Sequence, residues 1–217
     1  MAGRVLNTDP LGPLRAGVER YYTRKIDTHG PTPLGVDWSC SRTQQLRFGQ
    51  LLQVCGKPAA SFSLNDFGCG YGALLPYLRN AFGGSAIDYL GIDVSQAMVG
   101  QALRLHPDAS FLQAHSSPRT ADYTVASGVF NVKLRTSGMR WTDYIKSTLV
   151  QLYGTSTQGL AVNFLAPRPP HMPQTSALFR PWPQPWIDFC RQELGAETTL
   201  RADYGLPEFT LLVRRPR

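Results

Sequence analysis

At 217 residues the chain fits one domain, because a single core grows to roughly 250 residues before chains divide. Its 42% hydrophobic and 17% charged residues exclude a disordered chain, and 20 glycines without a fixed period exclude a collagen-like one. The net charge of +7 favours anionic partners, yet the basic residues are scattered apart from the terminal VRRPR, so no basic stripe of the kind that grips nucleic acid is expected.

No apolar run approaches the ~20 residues of a membrane span, and charges interrupt Met1 to Thr28, where a secretory leader would be apolar. A cytoplasmic protein with no membrane partner is expected. Cys40, Cys55, Cys69 and Cys190 have neither CxxC spacing nor a nearby histidine cluster, so they read as ordinary thiols, and no metal is expected.

In chain order, Leu11 to Ile26 reads as an amphipathic helix through Leu14, Val18, Tyr21, Tyr22 and Ile26. Prolines and glycines in DTHGPTPLGVDW then require a loop, and a second helix capped by Ser41 or Thr43 runs to Cys55–Gly56. From there, short apolar runs alternate with helices. FSLNDF and AIDYLGID are predicted strands around the helix GALLPYLRNAF, whose Pro76 falls in its first turns. SQAMVGQALRLH is a helix capped by Ser95. ASFLQA, DYTVASGVF and GLAVNFLA are further strands, with the helix RWTDYIKSTLVQLY before the last of them. PWIDFCRQEL closes the helices, and TTLRADYGLPEFTLLVRR holds two alternating strands that pair antiparallel. The pattern predicts an α/β fold: a seven-stranded, mostly parallel sheet with helices on both faces and an antiparallel end. Residues 1–58 form its helical N-terminal cap and 59–217 its Rossmann-like core.

The stretch LNDFGCGYGALL ends one strand, turns on Gly68, Gly70 and Gly72, and opens a helix. Alternate glycines remove the Cβ atoms that would collide with a ligand lying against bare backbone and helix N-terminal amides. Asp93 ends the next strand, where a carboxylate can accept hydrogen bonds from both hydroxyls of a ribose.

These features resemble the class I S-adenosylmethionine-dependent methyltransferases, through NDFGCGYG and YLGIDVSQAMV, with PEFTLLVRR matching that fold's reversed last strand. Within that family the likeness is to a group of small bacterial enzymes acting on small molecules. The resemblance implies S-adenosylmethionine as cofactor and S-adenosylhomocysteine as product. It places Gly68, Gly70 and Gly72 by the methionine part, Asp66 near the amino group, Asp93 on the ribose, and Val94 or Met98 on the adenine. The acid this family often carries after the third strand is missing from FLQAHSS, so His115 or Ser116 is expected there. A nicotinamide-dependent oxidoreductase is the alternative, since Gly68-x-Gly70-x-x-Ala73 also satisfies a relaxed dinucleotide fingerprint. A non-catalytic scaffold of the same fold is another. Nucleic-acid methylation lacks its Asn/Asp-Pro-Pro-aromatic motif, because the fourth strand ends in SGVFN.

Ligands in open parallel sheets gather beyond the carboxyl ends of the strands. Val129, Phe130 and Asn131 are therefore candidate pocket residues, with Asn131 and the loop residue His29 as candidate catalytic groups. Trp38 and Arg47 could reach the cofactor, Arg47 as a fork for its carboxylate. Tyr22 and His171 are candidate substrate contacts, His171 from the proline-rich run Ala166 to Trp186, which reads as a lid or as a surface crossover. The expected acceptor is an oxygen or nitrogen of a small metabolite, with the positive charge making an anion plausible. Nothing in the residues fixes oligomeric state.

Overall fold

The computed structural model describes residues 9–56, 60–83, 85–169, 171 and 175–216. Two helices precede the sheet. α1 (Gly12–His29) starts with Pro13 in its first turn, where a missing N–H breaks no helical bond, and it ends at Gly30 with φ 64°. It therefore extends three residues beyond the predicted end at Ile26, into the segment read as loop. α2 (Ser41–Leu51) is preceded by Cys40, and neither Ser41 nor Thr43 caps it; Thr43 Oγ1 instead donates back to the Cys40 carbonyl. Leu46 is exposed, so the buried face of α2 runs through Gln44, Arg47, Phe48 and Leu51. A 3-10 turn, Leu52–Cys55, stops at Gly56 with φ 60°.

The sheet has seven strands in the order β3-β2-β1-β4-β5-β7-β6. β1 (Ser61–Phe67), β2 (Ala86–Asp93), β3 (Ser110–Gln113), β4 (Ala121–Ala126) and β5 (Ser156–Leu165) run parallel. β7 (Glu208–Arg214) is antiparallel to both β5 and β6 (Glu197–Arg201). β4 stops earlier than its apolar run suggested, because the chain turns at Gly128 with φ 72°. The crossover helices are α3 (Leu74–Ala81), α4 (Gln96–Leu105), α5 (Gly138–Gly154) and α6 (Gln184–Gln192). Pro76 sits in the first turn of α3 and is tolerated there, and Ser95 Oγ accepts from Met98 N at the start of α4. None of these helices is long and apolar enough to cross a membrane.

Consecutive strand residues serve opposite faces, as the pleat requires. Val125 and Leu212 pack with Phe48, Leu51, Leu74 and Leu78 under α2 and α3. Ala126 and Leu211 pack with Trp141, Tyr144, Leu149 and Trp186 under α5 and α6. The link from β3 to β4 contains no helix, so residues 114–120 make the crossing irregularly. The buried Asn65 of β1 anchors it: its Nδ2 donates to Ser117 Oγ at 3.0 Å and its Oδ1 accepts from Arg119 Nε at 2.9 Å. A bare patch of sheet would remain on that face. α1 covers it, with Leu14 and Val18 packed into the cluster that holds Phe67, Ile92 and Phe130. The other half of α1 lies over α4, where Ile26 and Tyr22 meet Met98 and Tyr71 and Thr23 Oγ1 bonds Ser95 Oγ at 2.8 Å.

Candidate functional site

A cleft at the carboxyl edge of β1, β2 and β4 holds about 890 Å³ of empty space, counting the open solvent at its mouth. Its floor is the glycine turn. Gly68 and Cys69 both donate their backbone N–H to the Ile92 carbonyl, at 2.7 and 3.0 Å, which ties the turn to the end of β2. Gly68, Gly70 and Gly72 have φ of 75°, 56° and 81°, a region that residues with a Cβ rarely adopt. A Cβ on Gly68 would lie 2.5 Å from Val129 Cγ2, and one on Gly70 2.9 Å from Val36 Cγ1, both of them cleft residues. Gly72 differs. Its Cβ would meet His106 and Phe111, and the residue does not line the cleft, so this glycine serves packing instead of a ligand.

Two buried carboxylates stand in the wall. Asp93 accepts from Gly70 N at 2.9 Å and Ser95 N at 2.8 Å, and burial pushes its pKa up to about 6. Ser95 does cap α4, but this leaves Asp93 less free than its sequence context implied. A carboxylate offers about four lone-pair sites, so roughly two remain for a diol. Asp66 accepts from the Tyr89 hydroxyl at 2.8 Å, and burial pushes it up to about 7. Such a pair in one apolar cleft suits a ligand carrying positive charge.

Val94, Met98 and Tyr22 line the cleft beside Asp93, as does Trp38. His115 and Ser116 are exposed, and Ala114 is the residue beyond β3 that reaches the wall. Arg47 is not a free fork: its Nε donates to both oxygens of Glu208, at 2.9 and 2.8 Å, and its Nη2 pairs the same carboxylate. Its guanidinium stacks 3.8 Å from the Trp38 ring centre, so it holds a cleft residue from behind. Glu208 Oε2 accepts from Asn163, whose Oδ1 accepts from Gly128 N at 2.7 Å. The result is a buried chain from α2 through β7 and β5 to the turn after β4.

Of the other candidates, Val129 lines the cleft, whereas Phe130 is fully buried, stacked on Phe164. Asn131 is also buried, its Oδ1 accepting from Leu165 N, and it does not line the cleft. His29 is exposed at the end of α1, and His171 is exposed in the proline-rich run. Where it is described, Leu178 of that run bridges Val132, Phe179 N donates to the Asn131 carbonyl, and no described residue of it lines the cleft. Residues 170 and 172–174 of it lie outside the described residues.

Sequence reading missed Arg15, Ser127, Gly128 and Tyr144, all of which line the cleft. Arg15, Val18 and Tyr22 follow one another at three- and four-residue steps on α1, so the apolar stripe itself was the signal for Arg15. Tyr144 lay hidden among the buried residues of α5. Among the described residues no group of three or more His, Cys, Asp or Glu side chains is arranged to hold a metal.

No family model matches the chain. It is 42% identical over 160 residues to the Mycobacterium tuberculosis protein named "Putative methyltransferase Rv1506c", covering 72% of this chain and 95% of that one. Among solved structures, it superposes on magnesium protoporphyrin IX methyltransferase from Synechocystis PCC 6803 with bound S-adenosylmethionine, at a TM-score of 0.67 and 15% identity, covering 96% of this chain and 100% of that one. The mitomycin 7-O-methyltransferase gives a TM-score of 0.63 at 13% identity, over 95% and 69% of the two chains.

Proposed function

Starting from a chain that belongs to the class I S-adenosylmethionine-dependent methyltransferases, we propose that its methyl acceptor is an oxygen or nitrogen of a small, anionic metabolite. Membership sets aside the nicotinamide and scaffold readings. The observation that carries the proposal is the side wall: Arg15, Val18 and Tyr22 of α1 line the cleft and narrow it, where a polymer would need a broad groove. The net charge of +7 supports an anion.

The residues fit the cofactor. Gly68 and Gly70 leave backbone bare, Asp93 keeps lone pairs for the ribose diol, Val94, Met98 and Ala114 offer an apolar slot for adenine, and Asp66 and Asp93 balance positive charge. When bound, S-adenosylmethionine supplies a methyl group on a sulfonium, and the electrons of the broken bond stay on sulfur. The chain's own task is alignment: the acceptor lone pair must sit about 3 Å from the methyl carbon, on the line of the breaking bond. Gly128 and Val129, fixed by the Asn163 and Glu208 chain, shape the wall where that happens. Tyr22 and Tyr144 remain protonated, because burial pushes both hydroxyls up, so they donate hydrogen bonds to the acceptor. Neither His29 nor Asn131 lines the chamber, so the acceptor's proton passes to water or to a cleft carboxylate.

The test supplies S-adenosylmethionine labelled in its methyl group to the protein in a small-molecule extract and in fractions of nucleic acid and protein. Label on an oxygen or nitrogen of a small acid is expected. Label in a macromolecular fraction, or on carbon, overturns the reading.

A further inference from the structure

Among the described residues, three buried side-chain polar atoms have no hydrogen-bond partner: Arg15 Nε, Arg47 Nη1 and Ser127 Oγ. Two of the three, on Arg15 and Ser127, belong to residues lining the cleft. Buried polar groups are nearly always paired, so two orphans in the walls of one chamber point to a missing partner. The partner must accept from Arg15, since a guanidinium only donates, and it can take the Ser127 hydroxyl proton as a second bond.

Position separates this pair from the cofactor. α1 crosses the cleft lengthwise, with its Thr23 and Ile26 end fixed over α4, next to Val94 and Met98. Leu14 and Val18, flanking Arg15, pack at the other end with Phe130 and Tyr144. Ser127 is the first residue past β4, so it belongs to that same end. Of the cofactor features, Gly70 faces the Met98 end, where a Cβ on it would fall 3.9 Å from Met98 Sδ, and Gly68 adjoins Val129. Charge narrows the ligand further: Arg15 Nη1 already pairs with Asp9 at 2.8 Å, so its positive charge is partly balanced and suits a monoanion better than a phosphate dianion. Asp66 and Asp93 in the same chamber also oppose a second negative charge.

We propose that the methyl acceptor carries a carboxylate bound by Arg15 Nε and Ser127 Oγ, its apolar body lying against Val18, Val129 and Tyr144. The acid group anchors the molecule, and the methylated atom is a hydroxyl or amine elsewhere on it. This rests on the methyltransferase reading of the cleft above.

The probes are benzoate, its neutral isostere benzamide, and inorganic phosphate, each titrated calorimetrically into the protein saturated with S-adenosylhomocysteine. Benzoate is expected to bind at least about tenfold more tightly than benzamide, the difference an ionic hydrogen-bonded contact makes. Arg15→Gln should remove that preference and leave S-adenosylhomocysteine affinity within about twofold, with Ser127→Ala weakening benzoate several-fold. Circular dichroism checks that both variants fold, and Arg15→Lys, which keeps charge without Nε, should recover only part of the preference. Equal binding of benzoate and benzamide, or no benzoate binding, overturns the inference. So does tighter binding of phosphate, or an Arg15→Gln variant that loses S-adenosylhomocysteine and keeps benzoate. Failure of the wild-type protein to bind S-adenosylhomocysteine would instead overturn the cofactor assignment itself.

Discussion

Gly68, Gly70 and Gly72 are indistinguishable in a sequence, and the structure divides them. Gly70→Ala places a methyl group against Val36 inside the chamber, so S-adenosylhomocysteine affinity should fall at least about tenfold by calorimetry, while the fold persists. Gly72→Ala pushes on His106 and Phe111 at φ 81° and should cost about 1–3 kcal/mol in urea unfolding, with the folded fraction still binding. Asp66 and Asp93 make a pH prediction. Their folded pKa values, about 7 and about 6, lie above the ordinary 3.8, so each favours the folded state most at pH below 4, and that advantage is lost as pH rises through 6 to 7. A cationic ligand opposes the loss: the rise in Tm on adding S-adenosylmethionine should grow from pH 5 to pH 8, and Asp66→Asn should flatten the growth. The place of Asp93 in the cleft wall was legible because a carboxylate ending a strand beside a glycine turn falls at the carboxyl edge of the sheet. Arg47 was misread for the converse reason, since Glu208 lies 161 residues away and only the fold brings the two together.

At the scale of elements, the strands and crossover helices followed from periodicity, because two residues per pleat and 3.6 per turn are local properties. The ends were less readable. β4 stops four residues early because Gly128 turns the chain, and α1 outruns its apolar stripe because Asp27, Thr28 and His29 continue helically until Gly30. The helix-free crossing from β3 to β4 gave no local sign, for its anchors, Asn65 and Asp88, lie in other strands. Asn65→Ala should leave Ser117 and Arg119 short of partners and cost about 2 kcal/mol in urea unfolding. A full-strength Asn65→Ala protein would show that the crossing holds itself in place.

Taken whole, the molecule joins a helical preface to a sheet by apolar packing and by a buried ion pair, Arg47 with Glu208. Arg47→Met strands Glu208 beneath α2 and should lower stability by about 3–5 kcal/mol. Hydrogen exchange should then show α2 and the turn at Gly128 loosening together, because Asn163 connects them. Overall class was visible early, since alternating strands and helices admit few architectures. The share of the cleft lining that comes from α1, α5 and the end of β4 was not visible, because these elements converge only in three dimensions.

A helix laid across the chamber also has a kinetic meaning. We propose that the methylated product leaves past α1, which lines the cleft and whose Thr23 end is fastened to Ser95. Departure, governed by how often that span lifts, is expected to limit turnover, so kcat should decline as glycerol thickens the solvent and rise in a Thr23→Val variant.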